Sequence, residues 1–443
     1  MTLFAYVVLL GWIVVAIGLF AVLPPRRAAL VTFIGGYLFL PMAEIRIPGL
    51  TEYTKVTAIG VGTLLGAALF DPSRFLSFRP RWLDLPMCLW CLMPFVSGMS
   101  NGFDLYDSFA ATFRQTVNWG IPYFIGRLYI SDSDGLLELA LAVAIAGFVY
   151  VPLCLWESRM SPQLHYQLYG SGAPTGQKTY GFWGPLGYMP KVFMANSLEV
   201  TAFMACTAVV GYWLWTTGTV RRFVRLPAAW AVPLLVFGTL LGKALGGILL
   251  MVMGILALFL VKRLRHSLPL ACLVLVPPLY VTLRIPDAWS GKDLVPIIES
   301  NIDAGRAASL ASRLINETRL VRKALERPSL GWGPWGDYRM VDDSEGTVLT
   351  DGLWVITLGK YGLLGLSVLM LVFTLPGLAV VRALPGAAWS RPPHAALAAL
   401  CAAEAIYAID CLFNAFPNPI LFLILGALAG AARAPAGRAE MRY

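Results

Sequence analysis

Thirteen apolar runs, most separated by short basic turns, constrain this 443-residue chain more than any motif it carries. They fall at 2–23, 28–42, 54–70, 83–99, 112–131, 135–156, 193–216, 227–242, 244–261, 267–285, 353–380, 395–413 and 419–432. A segment in hydrocarbon must satisfy its own N–H and C=O groups, so it is helical, and about 20 residues cross a bilayer. The expected fold is therefore all-α and polytopic, with about 12–13 transmembrane helices and one large helical loop outside the membrane. Composition agrees, since 13% of residues are charged against about 25% in a soluble domain. The run at 2–23 has no basic region before it and no A-x-A-like cleavage site, so it reads as the first span and not as a signal peptide.

The chain divides into 1–285, with ten spans and an outer loop at 157–192, then 286–352, the large loop, then 353–443, the last spans and a tail. Basic residues orient it. Arg26/Arg27, Arg74/Arg79/Arg81, Arg221/Arg222/Arg225, Lys262/Arg263/Arg265, Arg382/Arg391 and Arg433/Arg438/Arg442 all fall on one face of this span order. The positive-inside rule makes that face cytoplasmic, which puts the 286–352 loop outside and the C-terminus inside. The same bias accounts for the net charge of +9. No basic run or RNA-binding motif accompanies it, so no nucleic-acid partner is expected.

Few residues carry chemistry. The pair Cys88 and Cys91 forms a CxxC inside LPMCLWCLMPF, with no second Cys or His cluster nearby. It reads as small hydrophobes in a helix and not as a metal or redox site. The segment 303–327 has Ala307, Ala311, Leu314, Val321 and Leu325 at helical spacing, with Arg306, Arg313 and Glu317 on one side of that face and Arg319, Arg322 and Glu326 on the other. Such a helix suits a membrane surface, a diphosphate, or plain solvent with internal Glu–Arg pairs. GWGPWGDYR (Gly331 to Arg339) is a glycine-rich turn without the GK[ST] ending of a nucleotide loop; Trp332 and Trp335 suit either sugar stacking or the bilayer interface. Lys243 interrupts an apolar hairpin, as a functional charge or a snorkelling turn residue. Asp351, at the re-entry into the membrane, is either a helix cap or a general base. Asp410 and Asn414 are polar groups at the edge of a late span and candidates for a cavity lining; Arg114, Lys191 and Glu199 are weaker candidates of that kind. No zinc pattern or Ser/His/Asp triad occurs, and the large loop contains no histidine.

The order of these features resembles the O-antigen ligase and polymerase superfamily of polytopic glycosyltransferases. Members carry a late periplasmic loop with an Arg-rich helix, a P-x-x-G-x-G-x-G-like turn and a re-entry motif followed by G-x-x-G. This chain has Pro328-Ser-Leu-Gly331-Trp-Gly333-Pro-Trp-Gly336, then Asp351-Gly-Leu-Trp354, then Gly362-Leu-Leu-Gly365. The Lys243 hairpin is similar to the family's S-R-G turn. Ligases of the family carry His at the re-entry position, where this chain has Asp351; the superfamily's polymerases vary there, and the related peptidoglycan glycosyltransferases use carboxylates.

The resemblance implies polymerisation of a surface polysaccharide or O-antigen in a bacterial inner membrane, with the large loop periplasmic. The donor would be a polyprenyl-pyrophosphate-linked oligosaccharide, the acceptor a glycan or lipid, and the partners membrane lipids and other polysaccharide assembly proteins. Neither a cofactor nor a metal is implied. Asp351 would be the catalytic base. Lys243, Arg313, Arg319, Arg322 and Arg339 would neutralise the leaving diphosphate, with Trp335, Asp410 and Asn414 also holding substrate. A ligase acting on lipid A-core, a transporter of polysaccharide or lipid-linked sugar, and a non-catalytic scaffold are the alternative readings.

Overall fold

Each of the thirteen apolar runs coincides with a helix in the computed structural model. The structure describes residues 2–46, 51–170, 187–286, 289–301, 304–336, 338–339, 341–342, 346–347 and 352–432. It is 77% helical with almost no sheet. Among the described residues, seven helices are long and apolar enough to cross a membrane, and four shorter apolar helices accompany them. The other two runs are helices interrupted by π turns, 25–39 at Val31–Gly35 and 105–129 at Thr116–Gly120. The second begins earlier than its apolar pattern suggests. Asp104 caps it by accepting from the Asp107 N–H at 2.7 Å, so the polar stretch before residue 112 is already helical.

Local chemistry sets most of the other starts. Thr54 and Thr57 form a reciprocal capping box ahead of Lys55–Phe70. Asp132, Asn196 and Asn418 each accept a backbone N–H from the first turn of the following helix. These side chains satisfy donors that a helix terminus otherwise leaves orphaned.

Burial runs from centre to rim. The most apolar windows of Ser197–Thr216 and His394–Phe413 are 89% and 94% buried, whereas that of Leu3–Val22 is 22% buried. Rim helices turn residues such as Leu3, Val14 and Val22 outwards. An exterior with exposed apolar residues of this kind is consistent with a membrane protein.

The loops gather at two ends. At the basic end Arg26 pairs with Asp132, Arg74 donates to the Leu128 carbonyl at 3.2 Å and Arg81 to that of Gly430 at 3.0 Å. At the opposite, loop end, the Glu157 carboxylate accepts the backbone N–H groups of Leu164, Lys191 and Val192 at 2.7–2.9 Å. That carboxylate closes the base of the 157–192 loop, whose residues 171–186 lie outside the described residues.

The large loop corrects one expectation. Its main helix, Ala304–Ala324, buries Glu317 along with Ala307, Leu314, Leu320 and Val321, whereas Leu325 is exposed beyond the helix end. Glu317 turns inwards because Arg284 waits there: their ion pair measures 3.2 Å, and Tyr280 adds a hydrogen bond at 2.8 Å. Burial raises the Glu317 pKa, against the opposing pull of Tyr280 and Arg284. The wheel pattern missed this because the partner is supplied by another helix. All seven cysteines are free, and Cys88 and Cys272 are exposed on the apolar exterior.

Candidate functional site

The site is built on a break in the re-entrant helix. Leu353–Ala383 is two helices meeting at Gly362, whose φ of 65° and ψ of −165° lie in a region essentially reserved for glycine. A break exposes carbonyls on one side and N–H groups on the other, and both need partners inside the fold. The turn at 328–333 supplies them. Trp332 N–H donates to the Gly359 carbonyl at 2.9 Å and Gly333 N–H to that of Lys360 at 3.0 Å. In return Leu363 N–H donates to the Pro328 carbonyl at 2.7 Å and Leu364 N–H to that of Ser329 at 3.3 Å.

Glycine is needed on both sides of this seam. Gly331 has φ +68°, and a Cβ there would come within 2.6 Å of the Gly359 oxygen. Residues from a third segment lock it: the Ser97 hydroxyl reaches the carbonyls of Leu330 and Lys360 at 2.6 and 2.8 Å, and the Asn101 amide reaches Gly331 at 3.1 Å. The two motifs of the resemblance, P-x-x-G-x-G and G-x-x-G, are thus one structural unit.

Lys360 is the last side chain but one before the break, and it lines a cavity of about 330 Å³ at the loop end. Arg114 lines the same cavity from the 105–129 helix, and Glu44 and Glu52 line it from the paired strands Glu44–Ile45 and Tyr53–Thr54 and the residue beside them. Thr357 and the indoles of Trp90 and Trp119 complete a wall that mixes hydroxyl, aromatic and charged surface. Arg114 stacks its guanidinium 4.5 Å from the Trp335 ring, and that indole N–H reaches the Asp107 carbonyl at 3.3 Å. Lys360 lies 5.2 Å and the Arg339 guanidinium 5.6 Å from the Tyr338 ring, and Arg114 and Arg339 are within electrostatic reach of Lys360. Three cations therefore surround one recess, two of them in its wall.

The residues expected from sequence are spread more widely. Asp351 lies outside the described residues. Arg339 and Trp335 adjoin the cavity through Lys360 and Arg114, as above. Arg313 lines a small adjoining recess with Glu317, Gly352 and Phe413, and Asp410 is within its electrostatic reach. Asp410 is buried and accepts the Asn414 amide at 2.8 Å, so these two form a pair at the end of the 392–413 helix.

Arg319 and Arg322 line a separate groove of about 590 Å³, between the Ala304–Ala324 and Leu294–Asn301 helices of the loop. Lys243 sits in the hairpin turn at φ +56°, buried, and donates to the Tyr188 carbonyl at 3.0 Å. Burial lowers its pKa. Among these, the structure brings Arg339, Trp335 and Arg114 together; Lys243, Arg319 and Arg322 line other places.

Sequence reasoning passed over Lys360, Glu44 and Glu52. Lys360 stands in GKYG within an apolar helix, and an ionisable residue at membrane depth was the available signal. The glutamates sit in a short polar loop whose partners are distant in sequence, and no pattern marks them. A second polar cluster was also hidden: Lys55 donates to the carbonyls of Tyr37 and Phe193 at 3.1 and 2.9 Å, while the Tyr37 hydroxyl bonds Glu199. No protein-family model matches the chain, and no curated protein matches it in sequence.

Proposed function

We propose that the chain is a membrane glycosyltransferase that extends a surface polysaccharide or O-antigen, drawing on a polyprenyl-diphosphate-linked oligosaccharide. The observation that carries this reading is the loop-end cavity, whose wall combines Arg114 and Lys360 with two carboxylates, hydroxyls and indoles. In the reaction a bond forms between an acceptor hydroxyl oxygen and the anomeric carbon. The bond from that carbon to the diphosphate oxygen breaks, and the electron pair leaves with the lipid diphosphate. Charge growing on that oxygen needs fixed cations, which act strongly where water is thin. Lys360, held at a helix C-terminus by the locked break, and Arg114, held flat on Trp335, are preorganised for the task.

The hydroxyl proton needs a general base, and a carboxylate can serve. Asp351 meets the need by its place at the re-entry, and Glu52 by its place in the cavity wall. Purified protein supplied with one lipid-linked repeat unit should give a ladder of longer lipid-linked products. Asp351→Asn set beside Glu52→Gln assigns the base to whichever variant loses the ladder at unchanged protein level. A single transfer that requires lipid A-core would replace polymerase by ligase. An absent product, under conditions where native membranes make polymer, would overturn the enzyme reading.

A further inference from the structure

The deeply buried helices Ser197–Thr216 and Pro392–Phe413 pack along a seam that holds three buried acids, Glu199, Glu404 and Asp410. Glu404 differs from the other two. It is 1% exposed, and neither of its carboxyl oxygens has a hydrogen-bond partner among the described residues. It stands nine residues before Phe413, the loop-end terminus of its helix. At 1.5 Å per residue that is a depth of about 14 Å, near the middle of a hydrocarbon core of about 30 Å. An ionised carboxylate there, with no cation against it, is very costly, and even the neutral acid strands a donor. An apolar side chain would pack at less cost, so the position points to proton traffic and not to packing.

Three thiols lie within electrostatic reach of Glu404: Cys206 on the 197–216 helix, and Cys401 and Cys411 on its own. From the other helices packed there, 133–160, 245–264, 268–284, 353–383 and 419–431, no cation or second acid among the described residues acts on it. Cys206 and Cys411 are also within reach of Asp410, so the two thiols bridge the two acids. Glu404, Tyr407 and Cys411 stand at i, i+3 and i+7 and share one helix face. Above them Asp410 accepts the Asn414 amide at 2.8 Å and lies within reach of Glu199, which takes the Tyr37 hydroxyl. Arg313, in the wall of the small loop-end recess, is within reach of Asp410 and completes the way to water. Towards the basic end the same helix runs from Leu400 back to Ala395 in alanine and leucine alone.

We propose that Glu404 is a proton-binding site in the middle of the bundle, exchanging its proton with water at the loop end through Cys411, Cys206 and Asp410. Uptake turns a carboxylate into a neutral acid. Release returns the proton to the side it came from, so the site carries no charge across the membrane. It is separate from the cavity that holds Lys360 and Arg114 and stands whether or not that cavity transfers sugar.

The test is infrared spectroscopy of the purified full chain in detergent. At neutral pH the wild type should show a carboxylic-acid C=O band that Glu404→Gln removes, and transfer to heavy water should shift that band to lower frequency. Asp410→Asn should slow the shift several-fold. Cys401→Ala, on the apolar side of Glu404, should leave its rate unchanged. A carboxylic-acid region unaltered by Glu404→Gln would overturn the proposal. So would equal slowing by Asp410→Asn and Cys401→Ala. A wild-type band that never shifts in heavy water would make Glu404 a sealed structural acid and overturn it too, and that reading needs no variant to fold.

Discussion

Gly362→Ala tests the helix break on which the candidate site depends, because its two possible structures give effects of opposite sign. In the structure Gly362 has φ 65° and ψ −165°, and an added Cβ would lie 2.6 Å from the Pro328 oxygen. Holding alanine in that region costs about 1–3 kcal/mol. Relieving the contact by moving the 328–333 turn would also strain the bonds from Leu363 and Leu364, worth about 1 kcal/mol each. The expected loss is therefore about 2–4 kcal/mol. Were 353–383 instead one continuous helix, alanine would be the better helix former by about 1 kcal/mol and the variant would gain stability. Gly246→Ala is the matched control, since a Cβ there meets no atom within 4 Å. The assay is the midpoint of heat-induced unfolding in detergent, followed by tryptophan fluorescence. A Gly362→Ala midpoint at or above that of Gly246→Ala would refute the break and the account of the turn docked into it.

Two further perturbations probe the loop end. Glu317→Ala strands the buried Arg284 charge and should cost about 3–5 kcal/mol. Glu317→Gln, which keeps an acceptor for Tyr280 and Arg284, should cost clearly less, and equal midpoints for the two variants would contradict the pairing. His165 accepts the Met42 N–H at 2.9 Å through Nε2, which requires the neutral ring, and burial followed by the charge of Lys55 lowers its pKa from the usual 6.5. A group whose folded pKa is depressed below its unfolded value stabilises the fold above the unfolded value. As pH falls below 6.5 the unfolded chain takes up the proton first, and that stability is lost. The unfolding midpoint should therefore fall between pH 7 and the acid side in the wild type, by more than in His165→Gln; parallel profiles would remove His165 from the account.

How legible the protein was in its sequence depended on the range of the interactions involved. The apolar runs are local signals, and each coincides with a helix, whereas the short helices Leu164–Tyr169 and Leu294–Asn301 lie in loops that carry no such signal. Side-chain roles in the bundle are long-range. The Pro328–Gly336 turn reads as a glycine-rich loop on its own, yet its meaning comes from carbonyls at Gly359 and Lys360 and a hydroxyl at Ser97. Glu317 was misassigned to a flank because Arg284 lies on another helix. Lys243 was legible as an interruption in an apolar hairpin, but its partner, the Tyr188 carbonyl, comes from a distant loop. Lys360 escaped notice within an apolar helix because only the fold brings it beside Arg114, Glu44 and Glu52.

The central claim is that Lys360 and Arg114 take up charge on a leaving diphosphate. It is tested most directly by the rate of ladder formation from a lipid-diphosphate-linked repeat unit in Lys360→Met and Arg114→Met. Loss of one preorganised electrostatic group should slow each variant by about 10²–10³ at unchanged protein level and melting point. Wild-type rates in both would contradict the assignment of this cavity as the active site.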